Sequence, residues 1–212
     1  MMTQTPSSRP PLASAYQKNV SGILLAAGLS TRMGEPKQLL PFGESTIVET
    51  VVDSMLAAKF DEVIVVIGHR ASEIEKQLGA RPIKTVFNPD YRDGMLTSAQ
   101  TGIRARKENS IFALMLVDQP FITSARINQV IVAYQQTEKG IAVPSYNYKR
   151  GHPAIFDEKY ASDILDLDTE SDGVRTLLKK YSDDIHYVTV DADDVLRDID
   201  DREDYERALK EK

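Results

Sequence analysis

Two apolar runs constrain the fold most: EVIVVIG at residues 62–68 and SIFALMLVD at residues 110–118. The first is rich in β-branched side chains, and the second is continuously apolar until Asp118. Strands apolar on both faces are buried on both faces, which is the habit of parallel sheets covered by helices. The stretches between such runs carry helical periodicity. In STIVETVVDSMLAA (45–58), Ile47, Val48, Val51, Val52, Met55 and Leu56 recur at steps of one and three, so they share one helix face. Ser45 is the expected cap of that helix. The same reading predicts strands at 21–27, 82–88, 140–146 (interrupted by Pro144), 152–156 and 184–190. It predicts helices at 71–79 (ended by Gly79), 93–108 (Asp93 near the start), 123–138, 157–166, 172–181 and 201–211. Strand–helix alternation of this kind implies an α/β fold: one mainly parallel sheet with helices on both faces.

The chain has 212 residues, a length for one large α/β domain rather than two, placed here at residues 21–212. The preceding residues 1–20 carry Pro6, Pro10 and Pro11 and no apolar core of a secretory signal. They read as a flexible leader outside the fold. A formal charge of −6 argues against nucleic acid, whose binding draws on a basic excess. It leaves room for a small anion held by local cations. The absence of cysteine excludes disulfides, thiolate metal sites and cysteine nucleophiles, and fits a cytoplasmic location. No apolar run approaches the ~18 residues of a membrane span, so a membrane role is not expected.

In open α/β sheets, ligands bind beyond the carboxyl ends of the strands. That rule selects Asp118, which ends the fourth strand, and LLAAGLSTRMGEPKQLLPF (24–42), which follows the first. Backbone N–H groups in a glycine-bearing turn converge on anions, and a helix start there would add dipole charge. Gly28 and Gly34 allow close approach or positive φ. Arg32 suits bidentate contact with phosphate oxygens, whereas Lys37 is a mobile point charge. The pair suits a polyphosphate. The loop is not a Walker A motif, because five residues separate Gly28 from Gly34 and Glu35 follows; nor does it match GxGxxG. On chemistry alone, a basic surface loop with glycines for turning stays open as the alternative.

The stretch LAAGLSTRMGEPK also resembles the signature LAAGxSxRMGxxK of the MobA-like nucleotidyltransferases, and within them the molybdenum cofactor cytidylyltransferases. NPDYRDGMLTSAQTG (88–102), VDQP (117–120), RGHPAIF (150–156), DGVRTLL (172–178) and DIDDREDYERA (198–208) are similar to further motifs of that family, in the family's order. The resemblance implies a single Rossmann-like three-layer sandwich of the nucleotide-diphospho-sugar transferase type. It implies transfer of CMP from CTP to the phosphate of molybdenum-bound molybdopterin, with release of pyrophosphate. By the same resemblance, Ala26, Ala27 and Gly28 contact the nucleotide through backbone groups. Ser30 and Arg32 lie along the β- and γ-phosphates, and Lys37 reaches the α-phosphate. Asp118 and Asp200 hold Mg²⁺, with Mn²⁺ as the alternative ion and Asp198 as the alternative second ligand. Asn88, Gly94 and Ser98 help to shape the nucleotide site, and His152 contacts the acceptor.

Val117 stands where the family has glycine, and Asp201-Arg202 where it has Thr-Pro. Asp201 still suits a helix cap. The cytidine preference rests largely on Ala27, because the guanylyl branch has LAGG. Other acceptors, such as a sugar phosphate, keep the same chemistry. A nucleotide-binding accessory protein without turnover, assisting a molybdenum hydroxylase, is the alternative from another class. The hydroxylase is also the implied recipient of the product.

Overall fold

A computed structural model describes residues 19–211, so all but the end of the expected leader lies outside the described residues. Val20, within the expected leader, already belongs to the fold. It opens strand β1 (Val20–Leu25), and its N–H donates to Asp61 Oδ2 at 2.7 Å.

The remaining strands are β2 (Pro41–Phe42), β3 (Ser45–Thr46), β4 (Glu62–Ile67), β5 (Lys84–Phe87), β6 (Ile111–Leu116), β7 (Ile141–Tyr146), β8 (Lys149–Arg150), β9 (Ala154–Phe156) and β10 (Ile185–Thr189). The helices are α1 (Ile47–Leu56), α2 (Ala71–Leu78), α3 (Met95–Ala105), α4 (Ser124–Gln135), α5 (Ala161–Leu165), α6 (Val174–Lys180) and α7 (Arg202–Lys210). The main sheet has the order β10-β7-β9-β6-β1-β4-β5, with β8 paired to β7. The long apolar β6 lies in the middle, as its composition requires.

Pairing is parallel from β6 through β1 and β4 to β5, and again between β7 and β10. Strand β9 runs antiparallel to both β6 and β7. The reason is the connection. A parallel return needs a crossover of about a dozen residues or more, and the short link between β7 and β9 is spent on the β7–β8 hairpin.

Alternation along the strands builds two apolar layers. Leu24, Val65, Ala113 and Met115 face α1 and α4, meeting Val48, Val52, Met55, Ile127 and Ile131. Ile23, Leu25, Ile64, Val66, Phe112 and Leu114 face the other side, meeting Ala99 and Ile103 of α3, Ile164 of α5 and Leu177 of α6. Each large aliphatic side chain so buried contributes roughly 1.5–3 kcal/mol. The result is the three-layer α/β sandwich that the sequence implies. No helix among the described residues is long and apolar enough to cross a membrane.

Several boundaries differ from expectation. Ser45 does not cap α1; it pairs with Phe42 in the small β2–β3 hairpin, which periodicity did not predict. Thr46 is the cap, in a capping box with Glu49. Helix α3 begins at Met95, after a 3-10 turn at Tyr91–Asp93 and Gly94 with φ 105°. The expected helix at 157–166 splits into a 3-10 turn (Glu158–Tyr160) and α5. Asp201 caps α7 as expected, accepting from Asp204 N.

Candidate active site

The loop after β1 leaves the carboxyl edge of the sheet. Ala26 N is still tied to Val66 O at 2.9 Å, and Ala27 O accepts from His69 N at 3.1 Å. Beyond them the chain turns back through Ser30 (φ 53°) and Gly34 (φ 73°). Gly28 has no positive φ, and a Cβ placed on it would meet nothing within 4 Å, so it contributes open space rather than a special backbone angle. The expected helix start is only a 3-10 turn, Lys37–Leu39, too short for an appreciable dipole. Any anion binding by this loop therefore rests on individual N–H groups and cations.

The cations gather against two carboxylates. Lys37 Nζ donates to Asp118 Oδ2 at 2.8 Å, to Ile199 O at 3.1 Å and to Asp200 Oδ1 at 3.5 Å. Arg32 reaches Asp200 Oδ2 at 3.2 Å. These pairs differ in kind: Lys37 and Asp118 expose only 13% and 17% of their side chains, whereas Arg32 exposes 70%. The Lys37–Asp118 attraction is therefore little screened, whereas Arg32 is free to exchange Asp200 for a ligand at small cost. Asp200 is brought here by the backbone, since Ile199 N donates to Asp118 O at 2.8 Å and ties the carboxy-terminal segment to the end of β6.

Asp118 Oδ1 is buried and has no hydrogen-bond partner. A carboxylate with one spare oxygen, opposite a second carboxylate, with a lysine cation between them, suits a divalent cation with oxygen ligands. No group of three or more His, Cys, Asp or Glu side chains able to hold a metal occurs among the described residues. Such an ion would complete its shell from phosphate oxygens and water, the Mg²⁺ and Mn²⁺ habit rather than that of a closed cage. Asp198 is engaged elsewhere: Gln119 Nε2 donates to its Oδ1 at 2.6 Å. Desolvation, then the charges of Asp118 and Asp200, raise its carboxyl above the usual range.

A second group of motif residues closes on itself. Asn88, 1% exposed, donates through Nδ2 to Thr97 Oγ1 at 2.9 Å and Ser98 Oγ at 3.0 Å, and accepts from Asp90 N at 3.0 Å. Ser98 is buried, with its hydroxyl turned toward Asn88. Gly94 is the member of this group that faces open space.

His152 lies next to the acidic cluster. Burial lowers its imidazole to about 4, the field of Asp118 opposes this, and Arg175 pushes the same way as burial. The ring is neutral at pH 7. Its neighbour Gly151 is required sterically, because a Cβ there would come within 2.3 Å of Val195 O. Val117, the departure from the family glycine, is buried in the apolar layer that faces α1 and α4. Ala27 is buried too. A Cβ on Gly68 would lie 2.9 Å from the Ala27 Cβ and 2.6 Å from the Tyr91 Cβ, so residue 27 sets how closely these elements pack.

Sequence reasoning missed Gln38, Gln119 and the Ile199 carbonyl. Gln38 is 1% exposed, donates from Nε2 to Ala26 O at 3.1 Å and Gly28 O at 2.9 Å, and accepts from Ser30 Oγ at 3.2 Å. The one signal was its place directly after Lys37, and a single polar residue in a loop carries no periodicity to betray its burial.

A mainly parallel sheet with a basic loop at its carboxyl edge, facing two carboxylates from distant segments, fits the nucleotidyltransferase class of α/β folds, and the family match gives that class. Residues 22–185 match the MobA-like NTP transferase domain, and the chain belongs to that family. It is 29% identical, over 76% of its length and 82% of the relative's, to a nicotine blue oxidoreductase of Paenarthrobacter nicotinovorans. It is 28% identical, over 86% of its length and 92% of the relative's, to a molybdenum cofactor cytidylyltransferase of Escherichia coli K12. Among solved structures, Rv0371c of Mycobacterium tuberculosis H37Rv in complex with manganese superposes with a TM-score of 0.77 at 27% identity, over 91% of this chain and 98% of that one.

Proposed function

We propose that the protein transfers CMP from CTP to the terminal phosphate of a molybdenum-bearing molybdopterin, forming the cytosine dinucleotide cofactor and pyrophosphate. The observation that carries this reading is the convergence of Asp118 and Asp200 on Lys37 Nζ at the mouth of the loop. An oxygen of the acceptor phosphate attacks the α-phosphorus, the bond from that phosphorus to the bridging oxygen breaks, and its electron pair leaves on pyrophosphate. The attacking oxygen is already ionised, so positioning and charge neutralisation do the catalysis. The loop N–H groups, Ser30 and Arg32 hold the β- and γ-phosphates, and Lys37 leaves the carboxylates for the α-phosphate. When bound at Asp118 and Asp200, Mg²⁺ or Mn²⁺ would supply further positive charge to the phosphate oxygens. Neutral His152 hydrogen-bonds the acceptor, and Gly94 leaves space for the base.

Two observations support cytidine: Ala27 in the loop, and the cytidylyltransferase relative that aligns over most of the chain. A molybdenum hydroxylase, in the same cytoplasmic compartment, is the proposed recipient. The test is incubation of the purified chain with Mg²⁺, molybdenum-loaded molybdopterin and each nucleoside triphosphate in turn, with pyrophosphate as the readout. Release with CTP is expected; release with GTP alone overturns the cytidylyl reading. The oxidoreductase relative motivates a second reading, a redox protein on the same fold. It would show no pyrophosphate with any nucleotide and turnover only with a redox cofactor.

A further inference from the structure

We propose that Gln38 is a positioning residue: it holds the loop after β1 with carbonyls inward and N–H groups outward, and nucleotide affinity depends on it. This rests on the reading that the loop takes the nucleotide's phosphates. Each carbonyl that opens the loop is occupied. Gln38 Nε2 donates to Ala26 O and Gly28 O, at 3.1 and 2.9 Å, and His69 N donates to Ala27 O at 3.1 Å. The donors tell the opposite story. Among the described residues, no protein acceptor receives a backbone N–H from residues 27–32. Gly28, Leu29, Thr31 and Arg32 are exposed, so their unpaired N–H groups are accessible to an anion, as in an anion cradle.

The glutamine amide meets this task in full. Both of its hydrogens go to carbonyls, and its oxygen accepts from Ser30 Oγ, which itself accepts from Lys37 N at 3.1 Å. Gln38 thus ties the start of the loop to the backbone that carries Lys37. Glutamate would set a carboxylate against two carbonyl oxygens. Methionine fills the space with no donor and leaves both carbonyls free to swing toward an incoming phosphate. Asparagine is a methylene too short to span the loop. Because Gln38 is buried beneath the loop, its effect on the nucleotide is indirect.

The experiment measures binding of CTP, and of pyrophosphate as a base-free probe, by calorimetry, together with KM and kcat. For Gln38→Met, with melting temperature followed in parallel, affinity for both probes is expected to fall about 10–100-fold, with kcat at saturating CTP within about threefold. Gln38→Glu should bind pyrophosphate worse than Gln38→Met at pH 8. Relative to wild type it should recover toward pH 6, as burial raises the new carboxyl and protonation restores one donor. A merely structural role would recover melting temperature toward pH 6 without changing the affinity of the folded protein. If Gln38→Met fails to fold, Gln38→Asn, which keeps the amide but cannot span both carbonyls, tests the same network and should lose about 3–10-fold in affinity for both probes. Wild-type affinity in a folded Gln38→Met protein, or a loss confined to kcat, overturns the proposal. A wild-type chain that binds neither CTP, GTP nor pyrophosphate overturns the nucleotide reading itself, before any variant is made.

Discussion

The loops that follow β1 and β5 leave the same edge of the sheet, carry motif residues of the same family, and are built in opposite ways. After β1, polar groups face outward: unpaired N–H groups, an exposed Arg32, and Lys37 drawn to carboxylates from two other segments. After β5, Asn88, Thr97 and Ser98 turn inward and satisfy one another beneath Gly94. Unsatisfied or exchangeable groups are available for a ligand, whereas a closed buried network fixes the shape of the chain. Asn88, Thr97 and Ser98 in the second loop thus hold the start of α3 in place.

Changes that strike charge across the first loop are expected to cost most. Asp118→Ala should remove metal-dependent pyrophosphate release by about 10³-fold or more at unchanged fold, since it deletes the buried carboxylate opposite Lys37. Unchanged rates would end the assignment of that cluster. Asp200→Asn should lower turnover about 10²-fold and weaken Mn²⁺ binding measured by electron paramagnetic resonance, whereas Asp198→Asn, on the Gln119 side, should change either by less than about tenfold. The reverse ranking would exchange the two residues' roles.

The second loop should answer in stability instead. Asn88→Ala strands the Asp90 N–H and removes bonds to two buried hydroxyls, so a loss of about 1–3 kcal/mol is expected in urea unfolding. If activity fell with stability unchanged, the contrast between the loops would be wrong. The effect with the narrowest range, confined to acid pH, concerns His152. Its folded value, about 4, lies below the unfolded 6.5, so between these values the unfolded chain binds a proton that the folded chain does not. Stability from this group is therefore complete above pH 6.5 and is lost as pH falls toward 4. His152→Asn should flatten that part of the urea-midpoint profile.

Most of the central sheet was legible because strand and helix periods are local. EVIVVIG and SIFALMLVD became β4 and the central β6, and Gly79 ended α2. The β2–β3 hairpin was not legible, because strands of two residues are too short to show a period. The candidate site was legible where motif residues stand at strand ends, as Asp118 does. It was not legible where one buried amide does the work, as Gln38 does.

Sequence alone determined the alternation, the position of the basic loop after the first strand, and the chemistry available there, since each depends on neighbours within a few residues. Tertiary structure alone decided that Asp200, 163 positions from Lys37, meets it across the cleft, and that Asp198 turns to Gln119. It also decided that β9 runs backward, that Ser98 is buried, and that the loop carbonyls point inward. The physical reason is common to these cases. Each depends on which group supplies a hydrogen-bond partner or a crossover, and those partners come from distant parts of the chain that only packing brings together.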